Sequence, residues 1–353
     1  MEWVRGETIG RGSFAKVDLA IPKSGAGVPP LMAVKSAPVY NSQSLKHERE
    51  ILGLVSNSEN VIRCFGESFS SENGEQLYNI FLEYASGGSL YDRVRKCGDR
   101  LSEGEVRSLT RSVLSGLNDV HSKGFVHCDV KLQNILLCSE NSDDENDVVA
   151  KIADFGLAKR QNRVVGNRDE FRGTPLYMAP ETVMSGEFES PADVWAVGCA
   201  VVEMLTGAPA WKNESNIASL LMKISKQSPE LPANLSPEIR DFLEKCFIRD
   251  ASKRWTAEML LEHHFITAGA ETLNYKSSKK ATTSPRCPFD FPEFVTPTSI
   301  STSKFDSWTE KEEDCTNFEW TVSSENSSAA RFRQLASDQI PNWVFSNSWL
   351  IVR

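Results

Sequence analysis

The spacing of apolar residues changes near residue 90, and this change constrains the fold more than any other feature of the sequence. Before it, short strand-like runs alternate with glycine-containing turns, with one helix-like segment among them. After it, up to about residue 266, helical spacing prevails. The strand candidates are Glu7–Gly10, Ala15–Ile21, Leu31–Ala37, Val61–Phe69 and Tyr78–Glu83, and the helix candidate is Ser44–Val55. This order predicts an α+β fold, with a β-rich N-terminal part that includes one main helix (up to about residue 90, the N-lobe) and a mostly helical part up to about residue 266 (the C-lobe).

Local signals predict where helices of the C-lobe begin and end. Ser102 and Glu105 are spaced as a capping box, and Gly124 is placed to end the helix that follows. The segment Ser190–Asp193 opens a second helix in the same way, with proline at the first helical position. The apolar run Val194–Leu205 continues it and is too short to span a bilayer, so we expect a buried core helix.

Two segments have a different composition. From residue 267 to 353, Ser, Thr, Asn and acidic residues dominate without any period, which predicts a largely disordered tail. The acidic insert Ser139–Asp147 lies between two strand-like runs and is typical of a solvated, extended hairpin loop.

Charge and composition exclude several classes of function. The net charge of -9 argues against general nucleic-acid binding and against attraction to an anionic membrane. Residues Met1–Glu7 contain no apolar stretch, so we expect no signal peptide, and no membrane insertion follows from the sequence. The eight cysteines include no C-x-x-C pair, which favours reduced thiols in the cytoplasm or nucleus.

A glycine-rich turn near the N-terminus is the first candidate binding element. It reads Ile9-Gly10-Arg11-Gly12-Ser13-Phe14-Ala15-Lys16-Val17. Glycines between strands let the backbone approach phosphate oxygens without side chains in the way. An ordinary turn explains this segment equally well when it is taken alone.

Lys35 lies within an apolar strand and is expected to have a carboxylate partner. At about 100° per residue, the helix Ser44–Val55 places Glu48 near the centre of its apolar face and Glu50 on the opposite, solvent side. A carboxylate in the middle of an apolar face is costly unless it is paired. We therefore expect a Lys35–Glu48 ion pair; the alternative is that Glu48 lies at the rim of a shallow face, and that Lys35 extends to solvent.

Two short polar motifs follow in the C-lobe. The first, His127–Asn134, contains Asp129 and Asn134 five residues apart with Lys131 between them, and a lysine there can offset the charge of a transferring phosphoryl group. The second, Asp154-Phe155-Gly156, comes twenty residues after Asn134. Each motif alone could be a capping or turn sequence.

The third polar motif, Ala179-Pro180-Glu181, completes the series. It resembles the motif that closes the activation segment of protein kinases, and this resemblance implies that Glu181 pairs with a buried arginine, for which Arg254 is the candidate. The same resemblance implies that Asp193 braces the backbone of the loop around Asp129; a plain capping residue is the alternative, and both roles are compatible.

These motifs, in this order and spacing, resemble those of the protein kinase family over residues 3–266. The resemblance implies the two-lobed kinase fold, with the N-lobe at about 3–85 and the C-lobe at about 86–266. The resemblance implies ATP and Mg²⁺ as cofactors, Asp129 as the residue that accepts or orients the substrate hydroxyl proton, and Asn134 and Asp154 as Mg²⁺ ligands. It also implies that Leu82 is the gatekeeper and that the hinge Glu83-Tyr84-Ala85 contacts adenine. Ala33 of the strand before Lys35 and the glycine-rich turn would complete the nucleotide site.

The narrower resemblance is to plant MEKK-type MAP kinase kinase kinases of the Ser/Thr branch. It rests on residues 2–15, on His127–Lys131 and on Ser190–Cys199. The short kinase-first layout with a polar tail is similar to the stress- and abscisic-acid-responsive subgroup. This resemblance implies MAP kinase kinases as protein substrates. A pseudokinase-like scaffold and a Ser/Thr kinase of another pathway are the alternatives.

Cys128 stands where many kinases have an arginine that pairs with a phosphate on the activation loop. No Ser, Thr or Tyr occurs between Gly156 and Gly173, whereas Arg168, Asp169, Glu170 and Arg172 supply fixed charges there. We therefore expect a loop that is ordered without phosphorylation. The nearest hydroxyl is that of Thr174, which is expected to be structural because its position in this family lies beside the catalytic Asp.

The tail contains acidic-aromatic clusters that resemble docking peptides for a grooved regulatory partner. The clusters are Phe289–Phe294, Phe305–Trp308 and Phe318–Trp320. Folding back onto the kinase domain, or no role, are the alternatives.

Overall fold

The computed structural model describes residues 2–12, 15–23, 29–139, 148–161, 172–211 and 216–268. The N-lobe is an antiparallel sheet in the order β1-β2-β3-β5-β4. Its strands are β1 (Trp3–Arg11), β2 (Lys16–Pro22), β3 (Met32–Pro38), β4 (Cys64–Glu72) and β5 (Glu75–Glu83), with helix α1 (Gln43–Val55) between β3 and β4. The remaining helices form the C-lobe together with two short strand pairs. These are β6 (Phe125–Val126) with β9 (Lys159–Arg160), and β7 (Ile135–Ser139) with β8 (Val148–Ile152). The two-lobed α+β prediction is confirmed.

Helix α1 packs on the sheet through the face that the sequence predicts. Its buried residues are Leu45, Glu48, Ile51, Leu52 and Val55. Glu50 is exposed. The buried carboxylate therefore lies in the middle of an otherwise apolar face.

The fourth strand begins three residues later than predicted. Val61 forms an isolated parallel bridge with Ile152 of the C-lobe, and Ile62 donates its N–H to the carbonyl of Ile152 at 2.9 Å. These apolar residues thus connect the two lobes instead of pairing with β5, and regular pairing starts at Cys64.

The C-lobe is built around two long helices. Its helices are α2 (Leu90–Lys96), α3 (Glu103–Ser122), α4 (Pro180–Ser185), α5 (Ser190–Thr206), α6 (Ile217–Lys226), α7 (Pro237–Cys246), α8 (Ala257–Leu261) and α9 (His264–Thr267). Helix α5 is buried nearly all round, as its apolar sequence predicts. No helix among the described residues has the length and apolar character needed to cross a membrane.

The predicted helix starts are only partly correct. Ser102 caps α3 by accepting the N–H of Glu105 at 3.3 Å, but the Glu105 carboxylate accepts from Arg93 instead of completing the capping box. At the start of α5, residue Glu189 is the N-cap and Ser190 already belongs to the helix, so the second capping box does not form. The predicted helix end at Gly124 is confirmed, since this residue follows α3 with φ +77°.

Two hairpin strands flank the acidic insert. Strand β7 (Ile135–Ser139) pairs antiparallel with β8 (Val148–Ile152), with Ser139 opposite Val148. The pairing confirms the predicted hairpin. Residues 140–147 of the insert and 269–353 of the tail lie outside the described residues, and so do Arg168, Asp169 and Glu170.

Candidate active site

A cavity of about 320 Å³ lies between the sheet of the N-lobe and the C-lobe. Most of the residues that the sequence assigns to nucleotide binding line it, and so do both of the metal-ligand candidates. These are Ile9, Val17, Ala33, Lys35, Glu48, Leu82, Glu83, Tyr84, Ala85, Asn134 and Asp154. Apolar side chains from both lobes thus surround one region of the cavity, and oxygen-bearing side chains lie at its inner end.

Lys35 joins three elements at the inner end of this cavity. Its ammonium is 2.7 Å from a carboxylate oxygen of Glu48 on α1 and 3.0 Å from one of Asp154 after β8. The predicted Lys35–Glu48 ion pair is therefore confirmed. The cluster fixes α1, β3 and the Asp154 turn relative to one another.

The charges of Lys35 and Asp154 support each other, whereas burial, with a smaller contribution from the Asp154 carboxylate, raises the pKa of Glu48 to about 7 even though Lys35 opposes this. Burial opposes the charge of Lys35, but the carboxylates of Asp154 and Glu48 outweigh it and hold the pKa of the ammonium above its ordinary value. Burial would likewise raise the pKa of Asp154, but Lys35 more than offsets this and keeps that pKa below its ordinary value. Asp154 is therefore ionised at neutral pH and can bind a cation.

Asp129 lies at the centre of a hydrogen-bonded group that adjoins the cavity through Asn134, although Asp129 itself does not line the cavity. Thr174 Oγ1 donates to Asp129 Oδ1 at 2.7 Å, and Lys131 Nζ lies 2.8 Å from Asp129 Oδ2 and 3.0 Å from Thr174 Oγ1. Asn134 Nδ2 donates to Asp129 Oδ2 at 3.0 Å and to the Asp129 carbonyl at 2.9 Å. The amide oxygen of Asn134 is thus directed away from Asp129 and remains for another partner.

Asp193 holds the backbone of the loop that carries Asp129. Its carboxylate accepts the N–H of His127 at 2.8 Å and that of Cys128 at 2.9 Å, and it contacts His121 Nε2 at 2.9 Å. Cys128 has φ +69°, a strained value for a non-glycine residue that these bonds help to fix. The predicted bracing role is confirmed, whereas the capping role is wrong because the carboxylate is turned away from the helix end.

The second buried ion pair is also as predicted. Arg254 forms a bidentate pair with Glu181, at 2.6 and 3.0 Å. The Arg254 side chain is fully buried, and its guanidinium also donates to the carbonyls of Ile248 and Pro191. It thereby connects the Ala179-Pro180-Glu181 motif to the core of the C-lobe.

Several residues of the glycine-rich turn do not line the cavity. Gly10, Arg11, Gly12, Ala15 and Lys16 lie outside its lining, and Ser13 and Phe14 fall outside the described residues. Side chains alternate along β2, so Val17 faces the cavity while Lys16 points to the other side of the sheet and pairs with Asp18 at 2.8 Å.

Glu83 borders the cavity, but its carboxylate is committed elsewhere. It accepts from Lys151 Nζ at 2.7 Å and from the N–H of Arg63 at 3.2 Å. A hinge contact to a ligand would therefore come from its backbone.

The sequence interpretation missed part of the cavity wall. The missed lining residues are Glu7, Ile62, Ser86, Gly87, Gly88, Ser89, Asp92, Lys96, Gln133, Leu136 and Ala153. Leu136 could have been found, because it alternates with the buried Ile135 and Leu137 along β7. The local sequence around Asp92 and Lys96 on α2 does not predict a binding role, because only the packing of the two lobes places these residues at the cavity.

Residues 3–266 match the model of the protein kinase domain family. The chain therefore belongs to the protein kinase family. It is a serine/threonine protein kinase, and members of this family in general use ATP and Mg²⁺.

Similar proteins of known name indicate the class of serine/threonine kinase. Mitogen-activated protein kinase kinase kinase 20 of Arabidopsis thaliana is 44% identical over an alignment that covers all of both chains. Mitogen-activated protein kinase kinase kinase 17 of the same plant is 41% identical over 76% of this chain and 70% of its own length. The yeast serine/threonine-protein kinase BCK1/SLK1/SSP31 is 36% identical over 79% of this chain and 19% of its own. The resemblance to plant MEKK-type MAP kinase kinase kinases is confirmed.

Proposed function

We propose that this kinase transfers the γ-phosphate of ATP to Ser or Thr hydroxyls of MAP kinase kinases. The observation that carries the proposal is the group around Asp129, in which one carboxylate is oriented by Thr174, Lys131 and Asn134 beside a cavity of suitable size for a nucleotide.

The inner end of the cavity fits ATP and Mg²⁺. The Asn134 amide oxygen and the Asp154 carboxylate are the oxygen ligands that Mg²⁺ prefers, and the Lys35 ammonium lies beside them for phosphate oxygens. Bound ATP supplies the phosphoryl group, and Mg²⁺ offsets its negative charge.

The chain's own residues orient the acceptor. Asp129 accepts the hydrogen bond of a substrate hydroxyl and, as the reaction proceeds, its proton. Lys131, held beside the same carboxylate, offsets charge that develops on the transferred group. Thr174 fixes the Asp129 carboxylate, so its role in the proposal is structural.

The acceptor class is inferred from the relatives. Three of the similar Arabidopsis proteins bear the name mitogen-activated protein kinase kinase kinase, and one of them aligns over the full chain. The proposed setting in stress or abscisic-acid signalling rests on the sequence resemblance alone, and the proposed location in the cytoplasm or nucleus rests on the absence of a C-x-x-C pair. The acidic-aromatic clusters of the tail are proposed to dock regulators.

A substrate panel tests this proposal. The full chain and its Asp129→Asn variant are incubated with ATP, Mg²⁺ and a set of inactive MAP kinase kinases whose own catalytic aspartate has been replaced. We expect phosphate on Ser or Thr of at least one of them with the wild type only. Phosphorylation of a general substrate but of no MAP kinase kinase would overturn the acceptor class.

A further inference from the structure

The residues after the activation loop pack directly on the catalytic loop. Gly173 has φ +89°, and a Cβ atom added there would lie 2.4 Å from the carbonyl oxygen of Cys128. The next residue, Thr174, donates to Asp129. The placement of residues 173 and 174 therefore sets the orientation of the Asp129 carboxylate.

An ion pair joins the start of the activation loop to the start of helix α5. Lys159 of strand β9 (Lys159–Arg160) lies opposite Val126 of β6 (Phe125–Val126), the residue just before the catalytic loop. The Lys159 ammonium is 3.0 Å from the carboxylate of Glu189. Glu189 directly precedes α5, whose Asp193 accepts hydrogen bonds from the catalytic-loop backbone. The catalytic loop, β6–β9, the ion pair and the first turn of α5 thus form a closed ring of contacts.

Two hydrogen bonds connect the same regions. Gln161 Nε2 donates to Ser190 Oγ, and Arg172 Nη1 donates to the carbonyl of Leu157 at 3.4 Å. The first bond fastens the start of the activation loop to helix α5, and the second joins the two ends of the loop.

Among the described residues of this region, one ion pair forms without a phosphate. The Cys128 thiol is neutral because burial raises its pKa well above the ordinary value. The sequence offers no hydroxyl acceptor between Gly156 and Gly173. Glu189, by contrast, presents a permanent carboxylate to the Lys159 cation.

We propose that the Lys159–Glu189 ion pair is a positioning element that holds the start of the activation loop and the first turn of α5 against the catalytic loop without phosphorylation. Neither residue contacts the reacting groups, so the pair acts through Val126, which lies opposite Lys159, and through Asp193, which accepts from the backbone of the loop that carries Asp129. The inference rests on the proposed kinase activity, and it specifies how the catalytic loop is kept in its active conformation.

The pair is expected to affect turnover more than stability. The Lys159 side chain is 13% exposed and that of Glu189 is 39% exposed. Partly exposed pairs contribute little to the free energy of unfolding. A small displacement of the residues that orient a reacting group can nevertheless lower the rate strongly.

Charge reversal and exchange test the pair. Full-length Lys159→Glu, Glu189→Lys and the double exchange are compared with wild type, all treated with phosphatase that is removed before the assay. Each single variant should lose about 10- to 100-fold in kcat, with the Kd for ATP and the unfolding temperature close to wild type. The double exchange should recover most of the kcat, as expected for coupled residues. Lys253→Glu is the control, because Lys253 pairs with Asp250 on the surface of the C-lobe, away from the site.

The outcomes separate this inference from the proposed function. Inactivity of the untreated wild type would contradict the kinase proposal itself. Activity in the wild type, with single variants equal to it or with no recovery in the double exchange, would overturn only the positioning role. A large loss of wild-type activity on phosphatase treatment would also overturn it, because a phosphate would then supply the order assigned to Glu189.

Discussion

Asp193 illustrates how one buried carboxylate stabilises the loop that carries Asp129. Burial alone would raise its pKa, but His121 and the backbone N–H of His127 more than offset this and hold the pKa below its ordinary value of 3.8. Because the folded-state pKa is the lower one, the carboxylate contributes stability that is complete above about pH 4. That contribution is lost as the pH falls through the folded-state pKa.

Asp193→Asn should therefore change both stability and its pH dependence. We expect the free energy of unfolding at pH 7 to fall by about 1–3 kcal/mol, since buried donors of the loop lose their acceptor. The decrease in stability below pH 4 should become shallower than in wild type. Denaturant unfolding between pH 3 and 8 measures both effects.

Asp250→Asn is the control for the unfolding measurements on Asp193→Asn. This carboxylate also has a lowered pKa, through Ser252 and Lys253, but it lies at the surface. A pH profile of Asp193→Asn that matches the wild type would contradict the bracing role.

At the scale of single residues, sequence reasoning succeeded where a local rule had a clear energetic penalty. Glu48 was located because an unpaired carboxylate on an apolar face is costly, and the same logic led to Lys35. The capping role of Asp193 was wrong because a local spacing rule cannot detect a competing partner that is distant in sequence. The Lys159–Glu189 pair carries no local signal at all.

At the scale of elements, α1 is fixed to the active site by Glu48. Glu48→Gln removes the charge that faces Lys35 and leaves this lysine with Asp154 alone. We expect a loss of about 10- to 100-fold in kcat/KM for ATP, because Lys35 and α1 are no longer held in place. Steady-state kinetics checks this.

Glu50→Gln on the same helix is the matched control, since Glu50 is exposed on the opposite face. Equal losses in the two variants would show that the effect belongs to the helix as a whole and not to the ion pair.

The close packing of α5 on α7 gives a second test at this scale. A Cβ atom on Gly198 would lie 2.8 Å from both Cys246 Cβ and the Phe247 ring. Gly198→Ala should lower the free energy of unfolding by about 1–3 kcal/mol, because a packed core accommodates an added methyl group poorly. Thermal or denaturant unfolding measures the change.

Gly104→Ala serves as the control for that substitution. This glycine lies in the first turn of α3 with open space around it. The substitution is expected to be neutral or to add up to about 1 kcal/mol through helix propensity. A Gly198→Ala variant as stable as wild type would contradict the packing described for these helices.

Element type was readable from the sequence over most of both lobes, because the apolar spacing changes so clearly near residue 90. Boundaries were less accurate: β1 begins four residues and β5 three residues before the predicted start, and β4 begins three residues after it. Val61 and Ile62 fit a strand pattern equally well whether they pair with β5 or bridge to Ile152. Only the three-dimensional arrangement distinguishes the two.

At the scale of the whole molecule, ATP with Mg²⁺ should join the lobes across the cavity. A ligand that binds only the folded state adds about 2.7 kcal/mol at 100 times its Kd. We therefore expect the unfolding temperature to rise with ATP and Mg²⁺, and to rise less when EDTA removes the metal. In Lys35→Met the shift should be much smaller; an equal shift would contradict the placement of phosphate oxygens beside Lys35.

The central claim is that Asp129 supports phosphoryl transfer in an active enzyme. Mg²⁺-dependent ATP turnover by the full chain and by Asp129→Asn, with ATP binding measured in both, tests it most directly. The account predicts clear turnover by the wild type and a fall of about 10²- to 10⁴-fold in the variant, with ATP binding retained. Equal, near-zero rates in the two proteins would contradict it and favour a scaffold that only retains the kinase fold.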